Sequence, residues 1–388
     1  MSKYLLTYKD AQEISEKYNN NNFWEINFMK EGYKLASFNY FICGWNDFNC
    51  PLPNKPEINA FDMRGTTFVF NKDGSLWKRF FMLPKFYNLN QVELTQYKNI
   101  KDKKILSVSQ KEDGSLVAFM MLPNGKLFSK TIGSFTSEQA EAAYRILYTN
   151  EEHVIWIKYL LGKGYTPLFE YVSWENRVVL KYSTPQIRFI GVRDNTSGEY
   201  LTAAELTKET IPLGIQPVIE KVHTLDELLE LASLVENKEG WVIKYDDFLV
   251  KCKTAWYFKL HGLRTENIFR EDYVIKHYLN ETLDDLMSML NPNEDKDAFE
   301  FVKKVMTATN NFVAHVDESV DKLVDEYNSS FYFEHWAKFA TDKHKEAFFG
   351  LARTKIENPI NYHSKKVGTV LAMTSHLKQA KQIVETWK

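Results

Sequence analysis

The stretch Lys111-Glu112-Asp113-Gly114-Ser115-Leu116 places an amine two residues ahead of an Asp-Gly turn signal, and apolar, strand-like sequence follows through Met120. A turn there would fix the backbone beside the lysine and present its amine at the rim of a sheet. Three more stretches of reactive type follow in order: Phe169-Glu170-Tyr171, Glu239-Gly240-Trp241-Val242-Ile243-Lys244 and Val250-Lys251-Cys252-Lys253. Lys251 and Lys253 are two residues apart in a strand-like run, so their side chains share one face. Two adjacent ammonium groups repel unless something anionic lies between them, and a phosphate is the obvious candidate. Each piece also has a purely structural reading: an edge-strand carboxylate at Glu170, a turn at Glu239-Gly240, a solvated strand face at the lysine pair. Lys72-Asp73-Gly74-Ser75-Leu76 imitates the first stretch but lacks the residue between lysine and Asp-Gly.

The elements that must position these groups can be read from periodicity. Residues 9–19 form a short amphipathic helix, stopped by the asparagine run 19–22. Strands are expected at 33–40, 66–70, 76–82, 126–130, 167–172, 177–182 and 187–193. Helices are expected at 134–147, 151–161 and 225–234, and a hairpin at 240–245 and 248–253 turns around Asp246-Asp247. Beyond residue 262 strand alternation disappears. Val302, Val305, Val313, Val316, Val320, Leu323, Val324 and Tyr327 recur mostly at helical spacing. Thr341-Asp342 is expected to cap a further helix carrying Ala347, Phe348 and Leu351, with Pro359 breaking it. The expectation is an α+β body with a mixed or antiparallel sheet over residues 1–261 and an all-helical domain over 262–388.

The 388 residues comfortably bury a core, and 44% hydrophobic with 26% charged residues is ordinary for a globular chain. A formal charge of −2 excludes a generally basic nucleic-acid binder, so any polyanion site must be a local cluster of cations. Cys43, Cys50 and Cys252 have no metal-ligand spacing and are odd in number, which fits a reducing, cytoplasmic setting. With no apolar run approaching about 18 residues and no h-region after Met1, neither export nor a membrane span is expected.

Lys111-x-Asp113-Gly114, Glu170, Glu239-Gly240 and Lys251-x-Lys253, in this order, resemble the motifs of the covalent nucleotidyltransferase superfamily of ATP-dependent DNA and RNA ligases and mRNA capping enzymes. Arg193 matches the neighbourhood of a further motif. Within the superfamily, the chain is similar to the phage RNA ligase family that seals broken tRNA anticodon loops. Lys111 to Leu116 match that family's motif in full, and Met63-Arg64-Gly65, Lys85-Phe86-Tyr87-Asn88-Leu89-Asn90, Ser137-Glu138-Gln139-Ala140, Asn176-Arg177-Val178-Val179-Leu180, Ser197-Gly198-Glu199-Tyr200 and Trp256-Tyr257 resemble its segments.

The resemblance implies an ATP-grasp-like ligase domain and a three-step reaction. Lys111 attacks the α-phosphorus of ATP and expels pyrophosphate. AMP then passes to an RNA 5′-phosphate, and a 3′-hydroxyl displaces it. By the same resemblance Glu170 binds the ribose hydroxyls, Glu239 holds the metal, and Lys251 and Lys253 neutralise the α-phosphate. Arg64 and Lys85 clamp the triphosphate or the RNA phosphate. Magnesium is the expected ion, with manganese as an alternative. The implied partner is RNA bearing 5′-phosphate and 3′-hydroxyl ends, such as cleaved tRNA, joined by a monomeric phage protein in the host cytoplasm.

Some positions keep two readings. Phe38 matches an aromatic near the nucleotide, or is a core aromatic. Lys130 matches the basic group of a Ser-Lys-Gly-Ser segment in shifted register. Asp284 matches a metal-linked contact, or belongs to a capping box begun by Thr282. The helical tail selects RNA shape, or merely packs. A DNA ligase or capping enzyme would carry an OB barrel after Lys253, where the sequence is helical instead. A non-catalytic relative should have lost Lys111, Glu239 or a paired lysine, and none is missing.

Overall fold

The computed structural model describes residues 4–18, 23–40, 43, 45–173, 184–206, 211–221, 223–257, 268–279, 283, 296–329, 332, 335–357, 362–374, 383 and 385–387. Helices and sheets are mixed, and the chain divides into two compact units. One comprises residues 1–135 and 139–261; the other comprises 262–388 with 136–138.

Three sheets build the first unit. Strands β1 (Phe23–Lys30), β2 (Tyr33–Tyr40), β3 (Thr67–Phe70) and β4 (Leu76–Phe80) form an antiparallel meander. A second sheet has β5 (Tyr87–Asn88), β6 (Ser107–Lys111), β13 (Gly240–Lys244) and β14 (Leu249–Lys253) in the order β5-β14-β13-β6. The third runs β11 (Tyr200–Thr202), β10 (Gln186–Asp194), β9 (Tyr165–Val172), β7 (Ser115–Met121), β8 (Leu127–Thr131), with β12 (Gln216–Pro217) beside β10.

Alternation assigns the faces of the second sheet. Val108, Trp241, Ile243, Val250 and Cys252 point into a core shared with Leu225, Leu228 and Ala232 of the helix Leu225–Leu234. Ser109, Lys111, Gly240, Val242, Lys251 and Lys253 therefore occupy the other face. In the third sheet Phe119, Phe169 and Phe189 pack with Trp156, Ile157, Leu160 and Leu161 of the helix Glu151–Gly162. Asn150 caps that helix by accepting from the Glu152 amide.

The described elements of the second unit are helices, among them Lys296–Asn328, Trp336–Lys343, Phe349–Glu357 and Tyr362–Thr374. The valine series lies on the 33-residue helix Lys296–Asn328, with Val302, Val305, Val316, Val320 and Leu323 buried. Thr341 and Asp342 are not a cap. They sit in the last turn of Trp336–Lys343, where Thr341 Oγ1 donates back to the Ala337 carbonyl, and the next helix starts only at Phe349. The helix at 134–147 begins at Glu138. Strand β1 was not expected from its sequence, yet all eight residues pair with β2. The strand expected at 177–182 and Pro359 lie outside the described residues.

Candidate active site

Lys111 ends β6, but the segment after it is not a hairpin. β6 pairs with β13, whereas β7 pairs with β8 and β9, so Glu112-Asp113-Gly114 crosses from one sheet to the next. Gly114 is required by close approach rather than by a left-handed turn. A Cβ there would meet the Tyr171 carbonyl oxygen at 2.3 Å and Val172 Cγ1 at 2.9 Å. The crossover thus lays the residues after Lys111 against the end of β9, and Ser115 pairs with Tyr171, the neighbour of Glu170.

Register does the rest. Gly240 on the central strand β13 pairs with Lys111 on one side and Lys253 on the other. Its φ of +150° and the Cys252 carbonyl 2.1 Å from a would-be Cβ leave room only for glycine. With no side chain at 240, the adjoining Glu239 reaches both lysines. Its Oε1 is 2.8 Å from Lys111 Nζ and 3.3 Å from Lys253 Nζ. Glu239 and Lys253 are each 1% exposed, while Lys111 keeps 17%. Both ammonium groups approach Oε1 without the alignment of a hydrogen bond. Charge attraction through this one oxygen links the two lysines.

Glu170 reaches the same place from the third sheet. Burial is the main cause that pushes its carboxyl up to about 8. The positive charges of Lys111 and Arg64 work against that rise, and the negative charges of Glu239 and Glu112 add to it. One carboxyl therefore shares its surroundings with the amine, the bridging glutamate and an arginine.

Tyr257 supports the row from beneath. Its ring lies 5.0 Å from Lys253 Nζ and its hydroxyl donates to Asp113 Oδ1 at 3.3 Å. The Thr254 amide donates to the Glu239 carbonyl at 2.9 Å. Lys251, two residues from Lys253 on the same face, stands 4.9 Å over the Phe86 ring. Arg64 is half-buried and donates through Nη1 to the Leu83 carbonyl at 3.2 Å.

Other expected site residues are placed elsewhere. Phe38 is fully buried in the aromatic core of the N-terminal sheet, edge-on to Tyr8 and Phe68, and shows no face on which a base could stack. Lys85 is buried among the rings of Tyr40, Tyr87 and Phe48, with its ammonium 4.9, 5.6 and 5.7 Å from their centres. Arg193 is a strut: Nη1 donates to the Met82 carbonyl at 2.7 Å and Nη2 pairs with Asp62 at 2.9 Å. Lys130 is fully buried against backbone carbonyls. Asp284 and Arg177 lie outside the described residues.

A second polar cluster lies at the other end of the same strands. Lys244 donates to the Tyr200 carbonyl at 2.6 Å and to Glu205 at 2.7 Å, and Thr202 Oγ1 donates to Ser107 Oγ at 3.2 Å. These bonds join the second and third sheets at the end of β6 remote from Lys111. Alternation from Gly240 already put Lys244 on the lysine face; Glu205 gives no local signal.

A family model described as RNA ligase matches residues 63–262, just over half of the chain and the whole span from Arg64 to Tyr257. The chain belongs to the RNA ligase family. A protein of Thermovibrio ammonificans named "Putative RNA ligase" is 30% identical over 249 residues, 62% of this chain and 63% of that protein's length. Among solved structures, an archaeal ATP-dependent RNA ligase aligns at 12% identity and a TM-score of 0.47, over 80% of this chain and 79% of that one. A Naegleria gruberi RNA ligase mutant with ATP and Mn aligns at 14% identity and a TM-score of 0.36, over 60% and 89%.

Proposed function

We propose that this RNA ligase family member is an ATP-dependent enzyme that joins RNA 5′-phosphate and 3′-hydroxyl ends through a lysyl-AMP intermediate, and that its role is the repair of broken RNA such as cleaved tRNA. The observation that carries the reading is the row Lys111–Glu239–Lys253, with Glu170 reaching it from a second sheet.

In this reading Lys111 Nζ forms a P–N bond to the α-phosphorus as the bond to pyrophosphate breaks. AMP then moves to an RNA 5′-phosphate oxygen, and the 3′-hydroxyl forms the new phosphodiester as AMP leaves. The amine must lose a proton before it attacks, against an ordinary lysine pKa of about 10.4. Lys253 and Lys251 on the same face favour that loss and offset the charge developing on the phosphate. Glu170 binds the ribose hydroxyls, for which a carboxyl held partly protonated at neutral pH can both donate and accept. Arg64 clamps the distal phosphates.

A divalent ion fits at Glu239. Among the described residues no cluster of three or more His, Cys, Asp or Glu side chains could cage a cation. Among the described residues Glu239, whose buried Oε1 has no aligned hydrogen bond, would hold Mg2+ or Mn2+; Asp284, the other expected metal contact, lies outside them. Bound there, the ion would supply positive charge to the phosphates. The helices of residues 262–388 select the shape of the RNA.

The test is circularisation of a 5′-phosphorylated RNA and of its DNA counterpart in the presence of ATP and Mg2+. Closed RNA circles, absent with Lys111→Ala, are expected. Equal closure of DNA would move the reading to a DNA ligase, and no closure of either would refute it.

A further inference from the structure

Lys130 resembles a basic site residue in sequence, yet it is fully buried. Its ammonium donates to three main-chain carbonyls: Thr131 at 2.8 Å, Ile132 at 2.9 Å and Gly65 at 3.1 Å, with Met82 Sδ at 3.6 Å. Removing an ammonium from water is expensive unless its protons are satisfied, and these carbonyl dipoles supply that compensation. A phosphate could reach Nζ only by displacing backbone.

What the ammonium holds is informative. Gly65 follows Arg64 directly and has φ +84°; a Cβ there would meet Met82 Sδ at 2.5 Å and the Ile132 carbonyl at 3.1 Å. The Gly65 amide donates to Phe38 O at 2.7 Å, and its carbonyl also accepts from Thr67 Oγ1 at 3.0 Å. The turn carrying Arg64 is therefore bonded to the N-terminal sheet on one side. On the other side Lys130 ties it to β8, whose neighbour β7 pairs with β9, the strand of Glu170. Arg64 is one of the charges that Glu170 senses.

We propose that Lys130 is a positioning residue: through the Gly65 carbonyl it fixes Arg64 relative to the strand of Glu170, and it makes no contact with substrate. The proposal rests on the reading of Arg64 as a phosphate clamp. A family-motif lysine thereby acts on the reaction through a backbone turn, one residue away from the guanidinium that meets the nucleotide.

The test is a double-mutant cycle read by single-turnover labelling of the chain with α-labelled ATP and Mg2+. Arg64→Ala and Lys130→Met should each slow labelling by about 10- to 100-fold, and the double variant should be no slower than Arg64→Ala within about 2-fold. Lys130→Gln, which keeps one donor for the Gly65 carbonyl, should recover part of the rate. A double variant slowed by the product of the two single effects would overturn the proposal, because Lys130 would then act independently of Arg64. Unaltered labelling in Lys130→Met would overturn it too. Unaltered labelling in Arg64→Ala would instead remove the clamp reading, and the proposal with it. If Lys130→Met does not fold, Lys130→Gln takes its place in the cycle.

Discussion

Two groups of buried cations stand within the first unit, and they are held in opposite ways. Lys111 and Lys253 share one carboxylate oxygen of Glu239, with neither contact aligned as a hydrogen bond. Lys130, Arg193 and Lys244 each donate to at least one main-chain carbonyl at 3.1 Å or less. An ion pair through one carboxylate can be rearranged when a phosphate or a metal arrives. A cation bonded to carbonyls cannot leave without breaking the fold. Both groups are cations; in the proposed function the pair sharing Glu239 takes part in the chemistry, while the bonds to main-chain carbonyls, joined by carboxylates at Arg193 and Lys244, hold the scaffold.

The sharpest way to break this contrast is to remove the shared carboxylate. Glu239→Ala should lower covalent labelling by about 10²- to 10³-fold, the usual effect of losing a group that stabilises transition-state charge. It should also destabilise the fold by about 3 kcal/mol, because it removes the carboxylate that two cations share. Glu239→Gln, in contrast, should lose the labelling and retain more of the stability in urea titrations. Equal stability losses in the two variants would show that the charge alone, and not the shape of the side chain, holds the row.

Next in size is a paired comparison. Lys253→Met should slow labelling by about 10²-fold and leave Glu239 paired with Lys111, so its urea midpoint should change little. Arg193→Met should do the reverse. It should cost about 3 kcal/mol of stability while the folded fraction labels at the normal rate. Should Arg193→Met slow labelling as strongly as Lys253→Met at equal folded fraction, the division fails.

Gly114→Ala tests the crossover that joins the two sheets. With the Tyr171 carbonyl 2.3 Å from the new methyl group, β9 or the Lys111 segment must shift, and a loss of about 2–3 kcal/mol is expected in thermal or urea melts. Gly74→Ala, on the imitation motif, meets no atom within 4 Å, and its cost should be confined to its φ of +84°.

A pH dependence reads the carboxyl that reaches the row from the third sheet. The Glu170 carboxyl is raised from its ordinary 4.5 to about 8, so its proton favours the folded state. That stabilisation is complete below about pH 4.5 and is lost as pH rises through about 8. Over that window the wild type should lose on the order of a few kcal/mol relative to Glu170→Gln, whose neutral amide does not titrate. Urea titrations at pH 5, 7 and 9 check this, and parallel curves for the two proteins would contradict it.

Much of the row was legible because strand alternation is local. Lys251 and Lys253 had to share a face, and the hairpin Gly240–Lys253 was marked by its own turn residues. The helix Glu151–Gly162 and strand β2 were equally plain from periodicity. The crossover was misread as a turn, because Asp-Gly gives the same local signal whether the next strand folds back or enters another sheet. The settings of Lys130, Arg193 and Lys85 were not legible for a related reason. Their partners, Gly65, Met82 and Tyr40, stand 65, 111 and 45 residues away or are backbone atoms, which no side-chain pattern announces. Strand β1 escaped although Trp24, Ile26 and Phe28 alternate with Glu25 and Asn27, because the run is short and Phe23 and Met29 put apolar residues on the other face as well; its pairing with β2 makes the strand plain.

The central claim is that Lys111 is the nucleophile of this row. Incubation with ATP and Mg2+, followed by intact-mass measurement of the denatured chain and fragment mapping, tests it most directly. The account predicts one added AMP, carried on Lys111 and lost when pyrophosphate is added back. No adduct, an adduct on another lysine, or full labelling of Lys111→Ala would contradict it.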